Sequence, residues 1–229
     1  MAKILALTRS AVAACRGSAA PLRLTSTPTI ARAWLASILP RYEQLGTAST
    51  IRLDVSPDIR SPATFDVAIR SGHGYWPGFE STLLLPILKT PMLSPRMAQQ
   101  RRLERPDDLL AFPLIREEHW PQWVAAAGVA AGPMTFAPIE YETQDVVALA
   151  AAEGAGVALL SPLLFRDFLA DGRLIQPFEQ EVSDGSAYYV LRHADDDRPH
   201  VDHFIQWLRG QARATYSAKT VSGLPFSRT

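Results

Sequence analysis

Residues able to do chemistry concentrate in the stretch FDVAIRSGHGYWPG, Phe65 to Gly78, where an apolar segment runs into a loop of glycines, aromatics and polar side chains. Ser71 and His73 sit two positions apart, the pairing that nucleophilic catalysis uses, but no glycine-flanked serine elbow surrounds them. His119, His193, His200 and His203 are candidate metal ligands without a partnered cysteine or a second helical histidine pair, so solvated surface is the better reading of them. Asp195, Asp196 and Asp197 form a turn ahead of Pro199 and lack the dozen-residue alternation of a calcium loop. We therefore expect no catalytic residues, no metal and no cofactor.

Binding chemistry is better represented. In TSTPTIARAWLASILPRYEQL, Thr25 to Leu45, Thr27 before Pro28 has the pattern of an N-cap followed by proline at the first helical position. Ser26, Thr27 and Thr29 bring hydroxyls beside the free amides of that first turn, which suits an anion or carboxylate; the plainer reading is that Thr27 caps its own helix. A second polar helix start lies in YETQDVVALAAAEGAGVALL, Tyr141 to Leu160, where Thr143 opens a helix that Gly154 and Gly156 close.

The elements that must position these groups follow from periodicity. Short strands are expected at Leu22 to Leu24, Ile51 to Val55, Phe65 to Ile69, Thr82 to Leu85 and Val157 to Leu160. Ile30, Trp34 and Ile38 recur at four-residue spacing on one helix, and Val201, Phe204, Ile205 and Leu208 form the apolar face of another after Pro199. Phe65, Val67 and Ile69 alternate with Asp66, Ala68 and Arg70, after which the glycines carry Arg70, His73, Tyr75 and Trp76 towards the surface. Tyr188, Tyr189 and Val190 favour a strand at Ala187 to Leu191, and beyond Gln211 the composition suggests a loosely held tail. At 229 residues and 47% hydrophobic, the chain can bury a substantial core, and alternating strand and helix patterns argue for an α/β fold.

These segments, in this order, resemble the effector-binding domain of LysR-type transcriptional regulators, in the subgroup of glycine-cleavage and β-lactamase regulators. The resemblance runs from about Leu7 to about Gln211 and includes the WPG loop, the tryptophan pair in REEHWPQWVAAAG (Arg116 to Gly128), GAGVALL and DGRLIQPF (Asp171 to Phe178). It implies a type 2 periplasmic-binding-protein fold: two Rossmann-like subdomains joined by two crossing strands, with a small-molecule effector between them, and the opposed helix starts and Arg70 suit an anionic one. Residues 21–90 and 191–229 would form subdomain I, 91–190 subdomain II, and 1–20 the remnant of a linker helix. The positions it carries over are Thr27, Thr29, Arg70, Thr143 and Gln144, joined by Ser26 and, in the second lobe, by His119. Tyr75 and Trp76 either wall the pocket or cover the core. The connection Ser56 to Thr64 is shorter than the family's pattern, which reshapes the expected pocket rim.

The same resemblance implies a homodimer acting in the cytoplasm. It also implies that DNA is reached only through a helix-turn-helix domain for which no recognition helix is found here. The balance of 23 Lys+Arg against 23 Asp+Glu agrees, because a duplex-binding module normally carries a basic face. The rival reading is a solute-binding lipoprotein of the same fold, suggested by Val12-Ala13-Ala14-Cys15; against it, the apolar run Ile4 to Leu7 is too short for a signal h-region. No stretch approaches the ~18 apolar residues of a membrane span, and the single cysteine excludes an intrachain disulfide.

Overall fold

The computed structural model describes residues 21–46, 50–59, 61–130 and 132–221. The linker remnant at 1–20 and the lipoprotein-like Val12 to Cys15 lie outside the described residues. Two compact units divide the chain: residues 21–84 with Tyr188–Ala214, and Leu85–Ala187 with the end of the last helix from Thr215. The chain passes from one to the other within β4 (Phe79–Pro86) and returns within β7 (Ala187–His193), a few residues ahead of the boundaries expected at 90 and 190.

The first unit is built on a five-stranded sheet of order β2-β1-β3-β7-β4, with β1 at Leu22–Ser26, β2 at Ile51–Val55 and β3 at Val67–Gly72. β1 lies parallel to both β2 and β3, pairing Leu24 with Val67 and Ser26 with Ile69. β3 is interior to the sheet, and Val67, Ala68, Ile69 and Arg70 are all buried. The alternation read from sequence therefore does not separate an inner from an outer face, as expected for a strand covered on both sides. Arg70 is 4% exposed, which corrects the expectation that the strand delivers it to the surface.

After β1 a helical run begins at Pro28–Ile30, widens into a π turn at Ala31–Leu35 and continues as Ala36–Glu43. The Ala36 amide reaches back to the Ala31 carbonyl, five residues earlier, as π geometry requires. Ile30, Trp34 and Ile38 are all buried, as their spacing predicts. The last helix, Pro199–Val221, buries Val201, Phe204, Ile205 and Leu208, and Tyr42 meets Phe204 edge-on with ring centroids 5.0 Å apart. That helix corrects the expected loose tail beyond Gln211: it continues to Val221 and buries Ala212. Ala212, Arg213, Ala214 and Ala218 are good helix formers, which outweigh the intervening hydroxyl residues.

The second unit centres on a two-stranded antiparallel pair, β5 (Thr90–Met92) with β6 (Ala158–Leu160). Around it lies a core of Leu93, Leu109, Leu114, Val157 and Leu159 with the two fully buried indoles, Trp120 and Trp123. The helices Trp120–Ala126 and Gln144–Ala152 contribute Trp123, Val124, Val147, Ala148 and Ala151 as their buried faces.

Candidate ligand-binding site

In the first unit, the corner after β1 is built by its own backbone. Thr27 is extended (φ −73°, ψ 153°), Pro28 opens the helix, and the Thr27 carbonyl accepts from the Ala31 amide at 3.1 Å. The position is the N-cap expected, but the Thr27 side chain makes no capping hydrogen bond. Its Oγ1 is buried and has no hydrogen-bond partner among the described residues. Such a hydroxyl costs about 1–3 kcal/mol until something pairs with it. Ser26 is fully buried and donates to the Thr27 carbonyl at 3.2 Å, and Thr29 is also buried.

Arg70 belongs to this corner as a brace. Its guanidinium donates to the Asp58 carbonyl (3.0 Å), the Ser56 carbonyl (3.3 Å), Thr25 Oγ1 (2.9 Å) and the Ile69 carbonyl (3.3 Å). The Ser56 amide in turn donates to the Ser26 carbonyl at 2.9 Å. The short connection after β2 is thus held against β1, and Arg70 supplies a positive charge beside Ser26 while its Nη1 and Nη2 donate to protein acceptors.

The glycine-rich loop divides its two aromatics. Gly74 has φ +89°, and a Cβ there would come within 3.1 Å of the Tyr189 ring, so the close approach needs glycine. Tyr75 is 82% exposed. Trp76 instead packs beside the cluster of Phe65, Ala68 and Leu191, with its ring centroid 5.6 Å from that of Tyr189. Trp76 is half-buried against that cluster. Ser71 and His73 are both exposed.

In the second unit, Thr143 is the extended N-cap of the helix Gln144–Ala152, again without a side-chain cap, and Thr143 and Gln144 are half-buried. Asp145 already places a negative charge in that first turn. His119 belongs to a different set of groups. Its Nδ1 lies 2.6 Å from Glu117 Oε1 and its Nε2 3.2 Å from Asp184 Oδ2, while Lys89 Nζ donates to the same Glu117 oxygen at 2.9 Å. Lys89 and Val182 exchange backbone hydrogen bonds at 2.8 Å, so this cluster ties the two connections of the second unit to the start of the Trp120–Ala126 helix. Glu117, Glu118 and His119 also offer ligand atoms within 4.8 Å of one another, but the Lys89 ammonium occupies the carboxylate a cation would need.

Burial opposes ionisation of Asp184, yet hydrogen bonds from Ser186 and the charges of His119 and Lys89 outweigh it and hold the carboxyl at about 2. A depressed carboxyl contributes stability above its ordinary value and loses it as pH falls towards the folded one. Asp184→Asn is therefore expected to lower stability by about 1 kcal/mol at pH 7. The deficit should shrink between about pH 4 and pH 2, and urea midpoints across that range measure it.

A second charged network escaped the sequence reading. Asp66, at the entry to β3, accepts from the Arg23 backbone amide (2.7 Å), from Arg23 Nη2 (2.9 Å) and from Arg198 Nη2 (2.8 Å), and Arg198 also binds Asp196 at 2.7 Å. The available signal was an acid embedded in an apolar strand, which burial permits only beside cations.

Comparison with known proteins places these features in a family. The model for the LysR substrate binding domain matches residues 16–213. The HTH-type transcriptional activator AmpR of Rhodobacter capsulatus is 33% identical over 201 residues, covering 83% of this chain and 66% of that protein. AmpR of Pseudomonas aeruginosa is 38% identical over 130 residues, covering 56% of this chain and 43% of that protein. The chain thus spans less than two thirds of the length of these relatives. Among solved structures, the effector domain of AmpR from Pseudomonas aeruginosa superposes with a TM-score of 0.78 at 28% identity, covering 88% of this chain and all of that one. The AmpR effector binding domain from Citrobacter freundii gives 0.76 at 25% identity, covering 86% of this chain and all of that one. The mixed α/β architecture is accordingly the type 2 periplasmic-binding-protein-like fold of those effector domains.

Proposed function

Since the chain belongs to the LysR substrate-binding domain family, we propose that it is the effector-sensing part of a transcriptional regulator and that its ligand is a small anionic molecule. The observation that carries this reading is the corner after β1, where a buried Thr27 hydroxyl lacks a partner among the described residues, beside Ser26, Thr29 and the Arg70 charge. A carboxylate or an acylated peptide would satisfy that hydroxyl and gain from the helix amides. Thr143 and Gln144 supply the polar helix start of the second unit, and His119 acts there through its carboxylate partners. The ligand acts by its different affinity for alternative conformations, and the bias passes to DNA through a helix-turn-helix domain of the kind for which the relatives are named. We place the protein in the cytoplasm as a homodimer, with no catalytic activity. No helix among the described residues is long and apolar enough to cross a membrane.

The test is a thermal-shift screen of small carboxylic acids and acylated peptides. A ligand present at a hundredfold over its dissociation constant should stabilise the protein by about 2.7 kcal/mol. Thr27→Val removes a hydroxyl that the unliganded protein leaves unpaired, so apo stability should stay level or rise while affinity drops about tenfold or more. Thr29→Val should also weaken binding. A ligand whose affinity is unchanged in both variants would show that the site lies elsewhere.

A further inference from the structure

Several arginines sit in ion pairs with carboxylates: Arg23 and Arg198 on Asp66, Arg192 on Glu80, Arg102 on Glu104 and Arg105 on Asp107. Arg96 and Arg173 are among the arginines without such a pair among the described residues. They share a cleft of about 330 Å³ in the second unit, and Ser94, Glu153 and Gly172, none of them assigned to the effector, line it with them. Neither arginine forms an ion pair among the described residues, although Glu153 lies in the same cleft.

Three donors face this space for identifiable reasons. Gly154 has φ +87°, and a Cβ built on it would stand 3.4 Å from Arg96 Nη2 and 3.8 Å from Ser94 Oγ, so the guanidinium and the hydroxyl converge over one glycine. Ser94 is 3% exposed; its oxygen accepts from the Met97 amide at 3.4 Å, which leaves its hydroxyl proton available to an acceptor in the cleft. Arg173 lies with its Cζ 4.2 Å from the centroid of the Phe168 ring, a contact that orients the guanidinium before any ligand arrives. Two guanidinium forks of like charge, neither ion-paired among the described residues, form a receptor for a tetrahedral oxyanion, which arginine pairs bind through several short, charge-assisted hydrogen bonds.

We propose that this cleft is a second binding site, distinct from the effector site, and that it takes the phosphate group of a small phosphorylated metabolite. Arg96, Arg173 and the Ser94 hydroxyl hold the phosphate. Glu153 disfavours excess negative charge and accepts from a hydroxyl on the same ligand, which selects a phosphomonoester of an alcohol or sugar over a bare polyanion.

Calorimetric titration of the full chain with inorganic phosphate, glycerol 3-phosphate and glycerol tests this. Both phosphate compounds should bind, glycerol should not, and added salt should weaken the binding. Tighter binding of glycerol 3-phosphate assigns the site to a phosphorylated metabolite, and equal affinity assigns it to free phosphate. Arg96→Gln and Arg173→Gln should each weaken binding about tenfold or more. Both side chains are exposed, so thermal midpoints should remain those of the parent. Thr27→Val should leave phosphate binding intact, which separates this site from the one after β1. Absence of binding by both phosphate compounds at about 10 mM, or undiminished binding in both arginine variants, overturns the proposal.

Discussion

Trp123→Ala is expected to destabilise the protein by about 3–5 kcal/mol, a large share of the 5–15 kcal/mol typical of a folded domain. Trp123 is fully buried, packs edge-on against Trp120 with ring centroids 6.0 Å apart, and donates from Nε1 to the Gln180 carbonyl at 3.0 Å. Truncation therefore opens a cavity among Leu93, Leu109 and Leu114 and also leaves a backbone acceptor unpaired. Trp123→Phe separates the two effects, since it refills most of the space without restoring the donor. Urea denaturation of both variants should place the phenylalanine form between alanine and parent. If alanine costs under about 1 kcal/mol, the description of this core is wrong.

Asp66→Asn should cost about 2–3 kcal/mol at neutral pH, because it removes the charge on which Arg23 and Arg198 converge. The figure lies below that of a fully buried ion pair because both arginine side chains are nearly half exposed. Burial alone would raise the Asp66 carboxyl; hydrogen bonds from the Arg23 side chain and amide and from Arg198 outweigh it and hold it well below the usual carboxylate range. Its contribution is thus complete above the ordinary value of 3.8 and is lost as pH falls below that towards the folded value. The gap between parent and Asp66→Asn should accordingly be widest near pH 7 and narrow in acid. An unchanged gap down to about pH 2 would mean that the carboxylate charge is not what holds Arg23 and Arg198.

What was readable in the chain, and what was not, follows from the range of the interactions. The helix face of Ile30, Trp34 and Ile38, the proline-started helix after Thr27, the β2 strand at Ile51–Val55 and the apolar face after Pro199 are local patterns, and each lies where the spacing puts it. The charge neutrality and the order of motifs that point to the LysR family are likewise properties of the sequence alone. Arg70 could not be placed this way. Whether a residue after an apolar strand reaches solvent depends on what covers that strand, and β3 lies between β1 and β7, more than a hundred positions apart in the chain for the latter. The same holds for Trp76, whose packing is set by Tyr189, Phe65 and Leu191, the first and last of them more than a hundred positions away.

The amino-acid sequence by itself determined the local elements, the family and the hydroxyl-rich helix starts, because capping, periodicity and composition act over a few residues. Tertiary structure alone decided which polar groups are already paired. Apart from the Ile69 carbonyl, Arg70 and Asp66 were taken up by partners 12 to 132 positions away, His119 was drawn into a cluster with Lys89 and Asp184, and the Thr27 hydroxyl was left without a partner among the described residues. Pairing at such separations depends on where the fold brings side chains together, and the cost of burying an unpaired polar atom then distinguishes the groups that hold the protein from those left to hold a ligand.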